Sequence, residues 1–432
     1  MSPPIAASAN LESVLARSSR DPVWLRVGTL FDGDAEIPHG HLVFDGTHII
    51  HAGSSLPDPE DIRAGQTSPD LDLPGYTALP GLTEAHAHFF LEGGEEDPAR
   101  RAAYLKQGDA DLLAQAESRL ARLLRLGLIA VREAGDRNGV GLALQRRYRS
   151  AAPGIMPYVD SPGAALHHQG RYGTFMGRPI EDHHDIESAV AARVAEGVHR
   201  IKLLATGIIN FEKGAVTAPP QMPVEELSRA VRTARQYGRQ TMIHCSGHDG
   251  VANCIAARVD TIEHGFFIDD AQLAQLRDLD IAWIPTFAPV QFQVDKAEQL
   301  GWSNVVRGNL QRILDAHAAS VARAGSLGVR IIAGSDAGSH GVAHGHGFLW
   351  ELELMERAGL STRHVLRSAT LASASRLGFG ELFGGLHPGM KARFLLTPAP
   401  VMSGIRHLRT SLTTVFDGAV YTGGDDPAVP GL

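Results

Sequence analysis

The chain is poor in cysteine and contains no long hydrophobic run. Two of its 432 residues are cysteines, Cys245 and Cys254, which excludes a disulfide framework and predicts a reducing, cytoplasmic location. No uninterrupted apolar segment approaches the roughly 18 residues that a membrane helix needs. The first residues also lack the basic region and the apolar stretch of a secretory signal. We therefore predict a cytoplasmic protein that does not bind a membrane.

The chain also lacks an excess of positive charge. Its formal net charge of −8 argues against nucleic acid or an anionic membrane surface as a partner. Hydrophobic residues make up 44% and charged residues 20%, as is usual for a globular protein, and the length allows more than one domain. A small-molecule substrate is the expected partner, and assembly into a homo-oligomer is expected by analogy alone. The composition also includes 21 histidines, which weakly indicates metal binding.

The central part of the chain alternates between apolar strand candidates and amphipathic helical stretches. Continuous apolar strands are typical of a parallel sheet that helices cover on both faces. Eight such units in roughly 300 residues predict an α/β fold of the TIM-like (β/α)₈ barrel type. An open doubly wound sheet fits less well, because no glycine-rich phosphate turn follows the first strand. The strand candidates are 77–89, 128–134, 155–160, 200–205, 240–244, 261–264, 282–286 and 329–334.

Short β-runs separated by turns occur at both ends of the chain. The first group covers 24–27, 41–44 and 48–53, and the second covers 392–397 and 413–421. Asp45-Gly46 between two of these runs is a strong hairpin signal. The simplest interpretation is one small β-sandwich domain built from both termini. The predicted organisation is a loose N-terminal lead-in over 1–22, the β-sandwich domain over 23–77 plus 384–424, and the barrel over 78–383.

Histidines occur at the ends of three of the predicted barrel strands. His86 and His88 lie at the end of the first strand, and alternate residues of a strand face the same side, so both can bind one ion. His244 and His264 end two later, successive strands. A single histidine of this kind is more often satisfied within the core. Two further histidines at strand ends, after a His-x-His pair, favour a second pair of metal ligands.

A lysine and an aspartate complete this pattern. Lys202 lies inside an apolar strand, where burial and neighbouring cations would depress the pKa of its amine. The neutral amine could capture CO₂ as a carbamate, an anion that offers one oxygen to each of two metals. The alternative is a lysine that reaches a carboxylate near the barrel rim. Asp336 follows the last strand and could act as metal ligand and proton carrier, or cap a helix.

These motifs resemble the amidohydrolase superfamily over about residues 23 to 422. The closer likeness is to its binuclear members with a carbamylated lysine on strand four, the prolidase-like and Xaa-amino-acid dipeptidase branch. The resemblance implies two divalent ions, with Zn²⁺ expected, and a hydroxide between them that attacks a carbonyl. It also implies His86 and His88 on the more buried metal, His244 and His264 on the other, carbamylated Lys202 as the bridge, and Asp336 as ligand and general acid/base.

The chain departs from that branch near the substrate pocket. Its dipeptidase-like members place a histidine after strand three where this chain has Tyr172. Tyr172, His167 and His168 are candidates to polarise the scissile carbonyl. Arg132 or Arg171 could hold a substrate carboxylate through a bidentate contact. His340, in a histidine-rich loop after strand eight, could line the pocket, although a role at the rim is an equal alternative for each of these residues.

The predicted function is hydrolysis of a small amide, such as an N-acyl amino acid or a dipeptide-like compound, at a binuclear metal centre. A lactone, ester or phosphoester hydrolase could use the same residues. A mononuclear deaminase of the same superfamily would need both histidine pairs and Asp336 but not Lys202. A catalytically silent scaffold typically loses ligands, and none is missing from this sequence.

Overall fold

The computed structural model describes residues 5–148, 156–410 and 412–423. Residues 1–4 of the predicted lead-in and Ile155 of the third predicted strand lie outside these ranges. The strands are β1 (Val23–Phe31), β2 (Glu36–Pro38), β3 (His41–Phe44), β4 (Ile49–Gly53), β5 (Leu71–Pro80), β6 (Leu82–Ala87), β7 (Leu128–Glu133), β8 (Tyr158–Asp160), β9 (Ala165–His167), β10 (Gly177–Pro179), β11 (Arg200–Leu204), β12 (Gln240–Cys245), β13 (Thr261–His264), β14 (Ala282–Ile284), β15 (Arg393–Thr397), β16 (Thr413–Phe416) and β17 (Ala419–Thr422).

Helices follow most strands of the central region. The α-helices are α1 (Ile5–Ala16), α2 (Pro98–Tyr104), α3 (Asp109–Leu123), α4 (Val140–Tyr148), α5 (Ile186–Ala195), α6 (Val224–Gln236), α7 (His248–Ala256), α8 (Asp270–Asp278), α9 (Ala288–Asp295), α10 (Asn304–Leu327), α11 (His346–Arg357), α12 (Thr362–Ala369) and α13 (Leu371–Leu377). Short 3₁₀ helices cover Arg17–Ser19, Leu124–Leu126, Ile180–Asp182, Val401–Ser403 and Ile405–Arg409. Among the described helices, none combines the length and the apolar character that crossing a membrane requires.

Strands from both ends of the chain share one sheet. Its order is β17-β16-β15-β5-β1-β3-β4, and β2 pairs with β1. Strand β5 joins the two groups of strands. It runs parallel to β1 from the N-terminal group and antiparallel to β15 from the C-terminal group, where Leu79 lies opposite Leu395. A separate cluster of buried side chains, which includes Leu25, Phe44 and Phe394, covers this sheet. The predicted pairing of N-terminal and C-terminal β-runs therefore exists in the structure.

Part of the predicted N-terminal lead-in is helical. Residues 5–16 form α1, and Leu11 and Leu15 are buried in the apolar cluster of the terminal sheet. Arg17 also forms an ion pair with the nearly buried Asp70. The serines and alanines of this segment suggested a flexible tail. The two leucines four residues apart lie on one helical face, however, and their burial outweighs the weak local pattern.

The central strands form parallel sheets with helices between them. One sheet has the order β10-β9-β11-β12-β13-β14, the other β6-β7-β8, and every pair in both is parallel. The mixed α/β content agrees with the prediction. The short strands β9 and β10 were not predicted, because three-residue strands carry little periodicity.

The predicted eighth strand, 329–334, is not a regular strand. It makes an isolated parallel bridge from Ile331 to Trp283 of β14. Beyond it, the amide of Ala85 donates to the carbonyl of Ala333 at 3.0 Å, and the amide of Asp336 donates to the carbonyl of His86 at 2.7 Å. The segment therefore runs between β14 and β6 and carries Asp336 to the ends of the neighbouring strands.

Candidate metal centre

Several strand ends bring polar side chains to the same cavity. His86 lies on β6, Lys202 on β11, His244 on β12 and His264 at the end of β13. These side chains and Asp336 line a cavity of about 210 Å³. The strands are parallel, so their carboxyl ends lie at one edge of the sheet, and residues far apart in the sequence become neighbours there.

The histidines hold one ring nitrogen against the protein and leave Nε2 towards the cavity. The Nε2 atoms of His86 and His244 are buried and have no hydrogen-bond partner among the described residues. A histidine that binds a metal typically has this arrangement, because an acceptor on the other nitrogen fixes the ring and its tautomer. The acceptors are Glu263 Oε2 for His86 Nδ1 at 2.6 Å, the Gly135 carbonyl for His88 Nδ1 at 3.0 Å, Thr286 Oγ1 for His264 Nδ1 at 2.7 Å, and the Gly207 backbone for His244.

The side chains are close enough to share ions. The ring centroids of His244 and His264 are 4.6 Å apart, and those of His86 and His264 are 5.1 Å apart. Asp336 Oδ1 lies 3.6 Å from His86 Nε2 and 3.5 Å from His88 Nε2. His86, His264 and Asp336 each offer a ligand atom within 4.8 Å of the other two. The spacing of these three donors therefore fits a divalent metal ion.

The environment favours the metal-binding forms of the imidazoles. Burial lowers the pKa of His88 and of His244 to about 3, and it lowers the pKa of His86 and of His264 well below the ordinary value. The positive charge of Lys202 acts in the same direction on all four rings. At neutral pH these histidines are uncharged, which is the form that coordinates a metal.

Lys202 is enclosed by the protein. Its side chain is 1% exposed, so it does not extend to the rim as the alternative interpretation of the sequence required. Burial lowers the pKa of its amine to about 8. A substantial fraction of the amine is then neutral near physiological pH, as reaction with CO₂ requires.

The backbone is unusual at three residues of the cavity. His264, Thr286 and Asp336 have φ values of 70°, 51° and 57°, in the left-handed region that few residues other than glycine adopt. Residues held in this region cluster at functional sites, where surrounding contacts maintain them. Gly334 packs closely against His86. A Cβ atom at position 334 would lie 2.8 Å from His86 Cβ, so a larger residue would displace the histidine.

This geometry agrees with the comparison to known protein families. A family model described as the amidohydrolase family matches residues 77–420. The chain belongs to the amidohydrolase family. The resemblance drawn from the sequence motifs is therefore confirmed, and the protein is a hydrolase that acts on carbon–nitrogen bonds.

Several relatives extend the comparison over most of this amidohydrolase. The ochratoxinase of Aspergillus niger is 25% identical in an alignment 431 positions long, which covers 90% of this chain and 84% of the relative. A crystal structure of a Xaa-Pro dipeptidase with bound methionine superimposes with a TM-score of 0.77 at 23% identity, covering 93% of this chain and all of that chain. A crystal structure of a putative prolidase from Bifidobacterium longum gives 0.73 at 24% identity, covering 93% and 94%.

A buried ion pair supports His86 in this amidohydrolase. Glu263 accepts from His86 Nδ1 and also from Arg132 Nη2, at 2.9 Å to Oε1 and 2.8 Å to Oε2. Both charged side chains are at most 1% exposed. Glu263 was not among the residues predicted from the sequence, where it directly precedes the proposed ligand His264. A charged residue inside an apolar strand was the available signal.

Arg132, for which the sequence suggested contact with a substrate carboxylate, lies buried beside Glu263. Its guanidinium is committed to Glu263, to the carbonyl of Ala85 at 2.5 Å and to Thr261 Oγ1 at 3.3 Å. It is not among the residues that line the cavity. A buried arginine of this kind neutralises the carboxylate that orients His86.

We expect the Glu263→Gln substitution to destabilise the protein by about 3 kcal/mol, because it leaves the Arg132 charge buried and unpaired. Activity should fall by about 10- to 100-fold through misorientation of His86. Urea denaturation and amide hydrolysis measure the two effects. The double substitution Glu263→Gln with Arg132→Met removes both charges and should recover most of the lost stability but not the activity. Equal stability of the single and double variants would contradict this account.

A second missed residue, Glu84, links β6 to the segment that carries Asp336. Its Oε1 accepts from the His86 amide at 3.0 Å and from the Ser335 amide at 2.9 Å, and its Oε2 accepts from Ser335 Oγ at 2.7 Å. Burial raises the pKa of Glu84 to about 8. These contacts hold the backbone on either side of His86 and Asp336 in register.

Tyr172 is the predicted substrate-contacting residue that lines the cavity. Its ring centroid lies 5.1 Å from that of His244. Burial raises the pKa of its hydroxyl above the ordinary value, so that the hydroxyl keeps its proton and can donate a hydrogen bond. The loop between β9 and β10 carries this residue into the site.

The other predicted substrate-contacting residues are bonded elsewhere and do not line the cavity. His167 Nδ1 bonds the carbonyl of His168 at 2.8 Å, and His168 bridges two carboxylates at 2.8 Å each. Arg171 donates to the Pro219 carbonyl at 2.6 Å, and His340 bonds the Glu96 carbonyl at 2.8 Å. The sequence could not separate these residues from Tyr172, because His167 ends the short strand β9 and the others occupy loops whose path depends on tertiary contacts.

The cavity also has an apolar wall, which was not predicted from the sequence. The wall consists of aliphatic and aromatic side chains from loops that follow several strands, together with the start of α9. Its members are Leu91, Phe175, Met176, Ile208, Ile209, Phe211, Phe266, Pro289 and Val290. Isolated apolar residues in loops carry no periodicity, so no sequence pattern distinguished them.

Proposed function

We propose that this amidohydrolase is a binuclear metal-dependent hydrolase of small amides. The observation that carries the proposal is the convergence of four imidazoles, one carboxylate and one buried amine on the same cavity. Hydrolysis of an amide breaks the carbon–nitrogen bond, adds OH to the acyl carbon and adds a proton to the nitrogen. The site must therefore bind the carbonyl, provide a nucleophilic oxygen and move a proton.

Each group has a proposed role in holding the metals. His86 and His88 would hold one ion, His244 and His264 the other, and Lys202 would bridge them as a carbamate formed from CO₂. Asp336, close to Nε2 of both His86 and His88, would be a further ligand. Zn²⁺ is the expected metal, since imidazole and carboxylate ligands suit it. When bound, such ions acidify water and polarise a carbonyl.

The protein's own groups would move the proton and orient the substrate. Asp336 lines the cavity floor, and its carboxylate would take the proton of the attacking water and pass it to the leaving nitrogen. Tyr172 lies across the cavity beside His244 and would donate a hydrogen bond to the substrate carbonyl. Glu263 would act through His86 by fixing its ring.

The proposal includes the architecture that supports the site. We propose that the two parallel sheets and the segment at 329–334 close into a (β/α)₈ barrel over 78–383. The bridges from Trp283 to Ile331 and from Ala87 to Ala337 support closure on one side. A hydrogen bond of 3.3 Å from the His199 amide to the Ser161 carbonyl supports it on the other. The terminal strands, 23–77 plus 384–424, would form the small β-sandwich domain.

Metal removal tests the proposed function. Dialysis of the full-length protein against a chelator should abolish amide hydrolysis, and Zn²⁺ with bicarbonate should restore it, with two metal ions per chain by mass spectrometry. Calcium replaces zinc in the matched control and should restore little activity, because it prefers oxygen ligands. Full activity with clearly fewer than two metal ions per chain would refute the proposal.

A further inference from the structure

We infer that the substrate is an uncharged amide with an apolar group of about one aromatic ring beside the scissile bond, and not an amide with a free carboxylate there. The inference rests on the proposed function and specifies its substrate class. It departs from the N-acyl amino acids and dipeptides that the sequence suggested, all of which carry a carboxylate.

The cavity divides into a polar floor and an apolar wall. The histidines, Lys202 and Asp336 form the floor. Nine aliphatic or aromatic side chains form most of the remaining lining, among them Phe175, Ile209 and Phe211. Wall residues of this kind favour an apolar group through the release of water from both surfaces.

The wall offers no cation for a carboxylate. Lys202 is the one lysine or arginine among the lining residues, and it belongs to the proposed metal centre. Arg132 is paired with Glu263, and Arg171 donates to a backbone carbonyl. A carboxylate bound beside the wall would lose its water without gaining a charged partner, which is unfavourable.

The apolar surface continues to the mouth of the cavity. Ile208 is 59% exposed and Phe175 is 37% exposed, and both belong to the lining. Here they extend the wall outwards, so an apolar substrate would contact the same type of surface from entry to the floor.

The cavity has room for an apolar group of moderate size. The cavity measures about 210 Å³. For comparison, a protein cavity of about 150 Å³ lined by apolar side chains binds benzene. One aromatic ring, together with the amide that the floor would bind, therefore fits this space.

Two matched pairs of amides test the inference with the metal-loaded, full-length protein. N-acetyl-phenethylamine and N-acetyl-phenylalanine differ by one carboxylate and carry the ring on the amine side. N-methyl-3-phenylpropanamide and N-(3-phenylpropanoyl)glycine also differ by one carboxylate, and they carry the aromatic ring on the acyl side. For at least one pair, kcat/KM of the uncharged member should exceed that of its partner by about tenfold or more. Equal or higher values for both carboxylates would overturn the inference.

A substitution at the mouth should weaken this preference. Ile208→Arg supplies a cation next to the wall, and it should raise the relative kcat/KM of the carboxylate member by about tenfold. Val305→Arg is the matched control, because Val305 is 67% exposed on α10 and does not line the cavity. That variant should keep the wild-type preference. If Ile208→Arg has the same ratio of kcat/KM between the two members of a pair as the wild type, the inference is overturned.

Failure of the proposed function can be told apart from failure of this inference. If none of the four amides is hydrolysed, the proposed amide hydrolysis fails for these substrates. Isothermal titration of the same protein with the same pairs then decides the inference, since it measures binding without turnover. Tighter binding of the uncharged members supports it, and equal or tighter binding of both carboxylates overturns it.

Discussion

Replacing Lys202 by methionine should reduce amide hydrolysis by about 10³-fold or more while leaving the folded protein at least as stable as the wild type. The proposed centre loses its bridging ligand, so fewer than two metal ions should remain per chain. Stability should not fall, because the substitution replaces a buried amine by an apolar chain of similar length. Mass spectrometry of metal content, kinetics and thermal unfolding measure the three outcomes.

The difference in stability between the wild type and Lys202→Met should also depend on pH. This second test uses metal-free protein. Burial lowers the pKa of Lys202 to about 8 in the folded state, below the ordinary value of 10.5. The unfolded chain therefore binds more protons between these two pKa values, and wild-type stability should rise with pH across that window. The stability advantage of Lys202→Met should accordingly be largest below pH 8 and shrink towards pH 10.5. A pH-independent difference would contradict the assigned pKa shift.

Replacing Lys202 by the smaller alanine tests the proposed role of Lys202 as a metal ligand. Lys202→Ala leaves space near the histidines, where acetate or propionate could supply the two oxygens that the carbamate would provide. Partial recovery of activity with these acids, and none with matched uncharged amides, would support a ligand role. Full activity of Lys202→Ala without added acid would instead favour the mononuclear deaminase.

Replacing Asp336 by asparagine should lower kcat by about 10³-fold or more with little change in stability. Asparagine keeps the shape of the side chain but cannot accept and release the proton. The backbone at Asp336 is left-handed, with φ of 57°, and asparagine adopts this conformation more readily than most residues. Kinetics with the best amide from the matched pairs and thermal unfolding measure the two effects.

Asp336→Ala is the comparison that separates chemistry from backbone conformation. It removes the same carboxylate, so the activity loss should be similar. Alanine in the left-handed region costs about 1 kcal/mol or more, so this variant should also be less stable than Asp336→Asn. If Asp336→Asn kept more than a tenth of the wild-type activity, a proton-transfer role for Asp336 would be excluded.

Periodicity and spacing predicted the regular elements well where the elements were long. The strands β7, β11, β12 and β13 begin where the sequence analysis expected them, because continuous apolar runs of this kind have few alternatives in a folded protein. The failures were the segment at 329–334 and the short β9 and β10. In each of these, tertiary contacts outweighed a weak local pattern.

The sequence by itself determined which residues meet at the cavity floor. His86, His88, Lys202, His244 and His264 follow or lie in parallel strands, and parallel strands bring such positions to one edge whatever the loops do. No comparable rule exists for the wall. A loop follows whichever path its packing allows, so whether Tyr172 or His168 faces the cavity depends on contacts made across the whole fold.

The tertiary structure alone decided how charge is distributed around the site. Arg132 was an available cation in the sequence, but the fold buries it against Glu263, since a charge removed from water requires a partner of opposite sign. The cavity wall is left apolar as a result. Electrostatic partnership depends on distances of a few ångströms between residues that are far apart along the chain, and packing, not spacing, sets those distances.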